Sequence, residues 1–149
     1  MISTSIDKLI MQSMKEHDNT RTETLRAIKT AFLNWKTAKE NVGKELDEAT
    51  EIRILKKLQD QRMESHHIYH EAGRYELAGE ELDQAAIIAD YLPDDVTEED
   101  ILSVYEQVLI DNNIEPVKRN MGVIIKNIKS VLPAADGKLV SEVVMKKIQ

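Results

Sequence analysis

Three histidines, His66, His67 and His70, crowd into five consecutive positions. The i, i+4 spacing of His66 and His70 can set two imidazoles on one side of a helix and onto one metal ion. Zinc would need a third ligand and usually a fourth, and the stretch lacks the HExxH arrangement that adds a catalytic glutamate. The histidines therefore read as exposed or partly packed helix residues, and no metal is expected. Covalent catalysis has equally little to work with. The chain has no cysteine, no GxSxG elbow and no serine–lysine signature. Without a Walker-type or GxGxxG loop, no nucleotide or other cofactor is expected either. Carboxylate pairs such as Glu80/Glu81 and Asp94/Asp95 stand in acid-rich, solvated stretches and are simply helix-end charges. No residue is singled out as catalytic.

The last third of the chain offers a different chemistry, that of binding a polyanion. From Val117 onward Lys118, Arg119, Lys126, Lys129, Lys138, Lys146 and Lys147 face only Asp136 and Glu142, a net +5 in a chain whose total is −7. The remaining residues then carry −12. Such an asymmetry points to a basic surface aimed at phosphates, which fixes position without reading bases. It also limits affinity, because the acidic remainder repels what the basic end attracts.

Those cations must be held by helices. Aromatics are only 4% of the sequence, glycine and proline are few, and apolar residues recur at helical spacing. Ile6, Leu9, Ile10 and Met14 mark a first helix with Ser5 as its cap, and Leu25, Ile28, Phe32 and Trp35 a second that ends near Asn41 to Gly43. A third, opened between Asp47 and Thr50, runs to about Ala72 and is stopped by Gly73. Its apolar stripe of Ile52, Ile54, Leu55 and Leu58 thins into Gln59, Gln61, Arg62, Ser65 and His66. The fourth spans Arg74 or Tyr75 to Tyr91, with Ala78, Leu82, Ala85, Ala86 and Ala89 on one stripe, Ile88 beside it and Pro93 closing it. Between Arg74 and Lys118 there is no Lys or Arg. Thr97 with Glu98, Glu99 and Asp100 is a strong helix start for Ile101, Val104, Tyr105 and Val108. Met121, Ile124, Ile125, Ile128, Val131 and Leu132 show the cleanest period, and Asp136 caps a last helix holding Leu139, Val140, Val143, Val144 and Ile148. The pattern predicts an all-α fold: a four-helix N-terminal domain over 1–93, then a smaller three-helix domain over 94–149 whose last two helices are basic. The amino terminus lacks the apolar run of a signal peptide, and no later run approaches membrane-spanning length. Together with the absence of cysteine this predicts a cytoplasmic protein with no membrane association, its oligomeric state left open.

Three segments are familiar in combination: RMESHHIYHEAGRYELAGEE at 62–81, YLP at Tyr91 to Pro93, and NMG at Asn120 to Gly122 with ADGKLVSEVV at 135–144. On these the chain resembles the YqeY-like family, whose domain also forms the tail of one of the subunits of the aspartyl/glutamyl-tRNA amidotransferase. The resemblance spans essentially the whole chain and implies two unequal helical domains. Matching residues include Arg62, Glu64, Ser65, Ala72, Gly73, Arg74, Leu77, Tyr91, Leu92, Pro93, Met121, Gly122, Ala135, Asp136, Gly137, Leu139 and Val140. In the amidotransferase that domain faces tRNA and holds neither the glutaminase nor the activating site. The family therefore implies a tRNA-associated helper without catalysis of its own. Other roles it allows are an accessory component of a glutamine-dependent carbon–nitrogen ligase and a protein-interaction module, with amidotransferase subunits or tRNA-metabolism proteins as partners. Where relatives have an acid before Met-Gly this chain has Asn120, which can cap the helix. Where relatives have a basic, glycine-rich turn it has VLPA, which leaves Lys126, Lys129 and Lys138 as the better phosphate contacts. Arg62, Ser65, His66 and Tyr69 leave the apolar pattern and are expected to make polar contacts between the domains.

Overall fold

The computed structural model describes Met1–Ile148, and there the chain is all-α, with seven α-helices and no strand among the described residues. One compact unit, Met1–Pro93, holds α1 (Ile2–Lys15), α2 (Asn19–Thr37), α3 (Glu48–Glu71) and α4 (Tyr75–Ala89). A second, from Asp94 onward, holds α5 (Glu98–Asn112), α6 (Met121–Val131) and α7 (Gly137–Lys147). Short 3-10 turns at Lys39–Asn41 and Lys118–Asn120 lead towards α3 and α6. No described helix is long and apolar enough to cross a membrane.

The first unit closes on Ile6 from α1, Leu25, Ile28 and Phe32 from α2, Leu46, Leu55 from α3 and Ile88 from α4. α1 begins at Ile2, ahead of the expected Ser5 cap, because its first turn is satisfied from outside. Glu51 of α3, 2% exposed, accepts the Ser3 N–H at 2.8 Å. The α1–α2 turn carries His17 at φ 56°, and the Asp18 carboxylate caps α2 by accepting from the Arg21 N–H at 3.1 Å. Behind it the buried hydroxyls of Ser13 and Thr22 lie 2.7 Å apart, and each is also within hydrogen-bond distance of a backbone carbonyl one turn before it. Met14, expected on the apolar stripe, is 52% exposed.

α3 and α4 form an antiparallel hairpin turned at Gly73, whose φ of +75° is the left-handed conformation that favours glycine. Ala78, Ala85 and Ile88 are buried along α4, whereas Leu82, Ala86 and Ala89 face outward, so the inward face is rotated from the expected one. Arg62 supplies the reason. Its Nε donates to Gln84 at 2.7 Å and lies 3.8 Å from Glu81, which turns those two α4 residues inward to match the polar half of α3.

In the second unit Ile101, Tyr105, Val108 and Leu109 of α5 pack with Ile124 and Ile128 of α6 and Val140, Val143 and Val144 of α7. Val131, expected on the α6 stripe, is 56% exposed. Thr97 caps α5 as expected, accepting the Asp100 N–H at 3.2 Å, and the Asp100 carboxylate accepts the Thr97 N–H in return at 2.8 Å. The Thr97 N–H and then its hydroxyl hold the Asp100 carboxyl below the usual carboxylate range. Asn120 does not cap α6. Its amide donates instead to the Glu115 carbonyl at 3.0 Å, because the 3-10 turn already occupies the position a cap would take.

Tyr105 is 2% exposed and its hydroxyl has no hydrogen-bond partner among the described residues. Burial, with Glu106 adding to it, pushes the phenol above its ordinary value. Tyr105→Phe removes an unpaired buried polar atom and is expected to stabilise the second unit by about 1 kcal/mol, read as a higher melting temperature. The sign with pH is also determined. A raised folded-state value keeps the proton on Tyr105 after the unfolded chain has lost it, so stability falls as pH rises beyond about 10. That alkaline loss should be smaller in the Phe variant; equal melting and equal alkaline slopes would contradict the geometry.

Candidate nucleic-acid interface

The seven cations expected to contact phosphate all lie in the second unit and are all exposed, but they are not equivalent. Arg119 pairs with Glu115 at 3.3 Å one turn away, and Lys146 reaches Glu98 at 3.8 Å. Both pairs are open to solvent and weak. Lys118, Lys126, Lys129, Lys138 and Lys147 make no ion pair among the described residues. Lys129 lies in the last turn of α6, and Lys146 and Lys147 in the last turn of α7, where the helix dipole favours a cation and no ligand is needed to explain them.

Lys138 has the opposite placement. It occupies the first turn of α7, the positive end of the helix, where the turn itself holds no acid and the cap Asp136 supplies a carboxylate. Asp136 accepts the Lys138 N–H at only 3.4 Å. Lys129 adds a second charge there: its ammonium lies 3.0 Å from the point a Cβ on Gly137 would occupy. Gly137, expected as part of a tight turn, is the first residue of α7, and what its missing side chain leaves room for is Lys129. The α6–α7 junction thus gathers Lys129, Lys138 and free helix N–H groups, with Lys126 one turn back from Lys129 on the same side.

Several family-motif residues of the first unit make bonds within it. His66 Nδ1 bonds the Ala78 carbonyl at 2.8 Å, and Arg62 bonds Gln84, so the departure of both from the apolar pattern has its reason on α4. Ser65 and Tyr69 are half-buried on the same helix, and the Tyr69 carbonyl accepts the Arg74 N–H at 2.8 Å. His66 meets His67 edge-on and His70 at a tilt, with centroids 5.3 and 6.0 Å apart, and His70 meets Tyr75 edge-on at 5.0 Å. Among the described residues no group of three or more His, Cys, Asp or Glu side chains could hold a metal ion. Tyr91 accepts from Arg21 at 2.9 Å, and Arg21 also pairs with Asp90 at 2.9 Å, which ties the start of α2 to the end of α4. Asp90 and then Tyr91 raise the Arg21 guanidinium against the cost of burial. Pro93 is exposed beyond this lock, and Met121 and Gly122 open α6.

Sequence patterning missed one feature altogether, a recess in the first unit beside Trp35, lined by Lys44, Arg53 and Lys57. Its cations are spread over a loop and two turns of α3, so they never form a charge run.

No curated protein shows significant similarity to the chain. The family model described as Yqey-like protein matches residues 3–148, nearly the full length, and the chain belongs to that family.

Proposed function

We propose that this is a tRNA-associated helical accessory protein that grips the phosphate backbone with its second unit and carries no catalysis of its own. The observation that supports this most is the placement of Lys138 and Lys129 together at the N-terminus of α7. Two cations and a helix dipole of the same sign repel one another, the long Asp136 cap offsets this in part, and a bound phosphate would relieve the rest while meeting the remaining N–H groups. Recognition of this kind is by charge and shape, so binding should be modest, steeply salt-dependent and weakly sequence-specific. The reading includes two separately folding domains, four helices to Pro93 and three from Asp94, and a cytoplasmic location.

The test is a titration against total tRNA at two salt concentrations, with a single-stranded RNA of equal length as control. The wild type should prefer tRNA. Replacing Lys126, Lys129 and Lys138 together by Ala should weaken binding and make the log–log salt slope shallower by about 2–3, close to one unit per lost phosphate contact. Unchanged affinity would remove this surface. No RNA binding even at low salt would sink the reading and direct the search to protein partners, amidotransferase subunits first.

A further inference from the structure

The recess beside Trp35 belongs neither to the basic helices nor to the family motifs. It lies between the end of α2, the loop that follows and the first turns of α3, and has a volume of about 470 Å³. Trp35 and Ile54 give it an apolar wall, and Lys44, Arg53, Lys57 and Thr50 stand around that wall. Asn41 donates to the Trp35 carbonyl at 2.9 Å, which holds the loop against the end of α2. The three cations are exposed and form no ion pair among the described residues. Asp47, the acid that feels Arg53, is already committed to the start of α3, where its carboxylate accepts the Thr50 N–H at 2.8 Å.

A second recess of about 410 Å³ continues from the first, sharing Trp35, Asn41, Ile54 and Lys57. Its further lining joins Ala31, Ala38 and Leu58 to an acid and two amides, Glu40, Asn34 and Gln61. Charge is therefore graded along the groove, with Lys44 and Arg53 at one end, Lys57 and the indole shared by the two recesses, and a carboxylate with two amides at the other. An inorganic anion would use only the first end and leave the indole idle. An apolar ligand would leave the cations uncompensated.

We propose that this groove is a nucleoside phosphate site. The phosphate would sit among Lys44, Arg53 and Lys57, where the guanidinium fork matches its oxygens. The base would lie against Trp35 and Ile54, as bases do on aromatic side chains. Asn34, Glu40 and Gln61 would meet the base edge, with Glu40 accepting from an exocyclic amine. The same chemistry is presented by a free mononucleotide and by an unpaired nucleotide of an RNA. The site lies on a different unit from the α7 N-terminus and stands without it.

Trp35 is the only tryptophan in the chain, so its fluorescence reports on this groove alone. The full chain is titrated with AMP, adenosine, inorganic phosphate and a short unstructured oligoribonucleotide. A saturable change with AMP, and a weaker one with adenosine or phosphate, supports a free nucleotide as ligand. A saturable change with the oligoribonucleotide only, retained when Lys126, Lys129 and Lys138 are all Ala, supports an RNA nucleotide. The double variant R53Q/K57Q should keep its melting temperature and weaken the response by about tenfold or more, the worth of one lost charge-assisted hydrogen bond. No saturable change with AMP or oligoribonucleotide overturns the proposal. So do an equal affinity for phosphate alone and an undiminished response in the double variant.

Discussion

Ile128→Ala should unfold the second unit under conditions where the first stays native. Ile128 is fully buried at the centre of the α5–α6–α7 core, and truncating such a side chain costs about 2–5 kcal/mol when the cavity cannot collapse. A unit of this size is stable by only about 3–8 kcal/mol, so one substitution removes most of what holds it together. The two units can be followed separately. Trp35 fluorescence follows the first, and far-ultraviolet circular dichroism follows both. Denaturant titration of the variant should show a helical signal that falls in two steps, the later one coincident with the tryptophan transition. A tryptophan midpoint that moves down with the helical one would mean that the units fold as a single cooperative body, and the two-domain reading would fail.

Glu51→Ala is the second large effect, and it acts on the other unit. The Glu51 carboxylate lies in the first turn of α3 and at the first turn of α1, so two helix N-termini converge on it. Removing it leaves the Ser3 N–H without its acceptor and should cost about 2–3 kcal/mol, the usual worth of a hydrogen bond to a charged group. The tryptophan-detected midpoint should fall accordingly. Glu51→Gln keeps an oxygen in place and should recover part of the loss. If both variants melt with the wild type, the contact contributes nothing and α1 is held by its apolar face alone.

The helices were legible wherever period and cap lie close together in the chain. α5 is announced by Thr97 and Asp100, α7 by Asp136, and the α3 stop by Gly73, each within a turn of the helix end it governs. What escaped depends on partners far away in sequence. α1 starts early because of a residue 48 positions on. The inward face of α4 is rotated because Arg62, 22 positions before Gln84, pulls that side in. Ser13, Thr22 and Thr24 look like surface residues, yet they are buried, their hydroxyls satisfied by each other or by their own helices. The basic end was legible as charge, but the distinction among its lysines was not. A lysine at a helix C-terminus and one at a helix N-terminus look alike in a string, and only the folded helix gives them opposite electrostatic meaning.

The seat of Ser3 on Glu51 also bears on how the chain comes off the ribosome. The acceptor that completes the first turn of α1 is synthesised only after α2 and the loop behind it. Until then α1 has no acidic residue in its first turn and no side-chain cap of its own. A nascent chain cut short before residue 51 therefore presents an amphipathic helix with an open end. The arrival of α3 supplies the missing acceptor, and the core that α1 joins can close only once Leu55 and then Ile88 of α4 have followed.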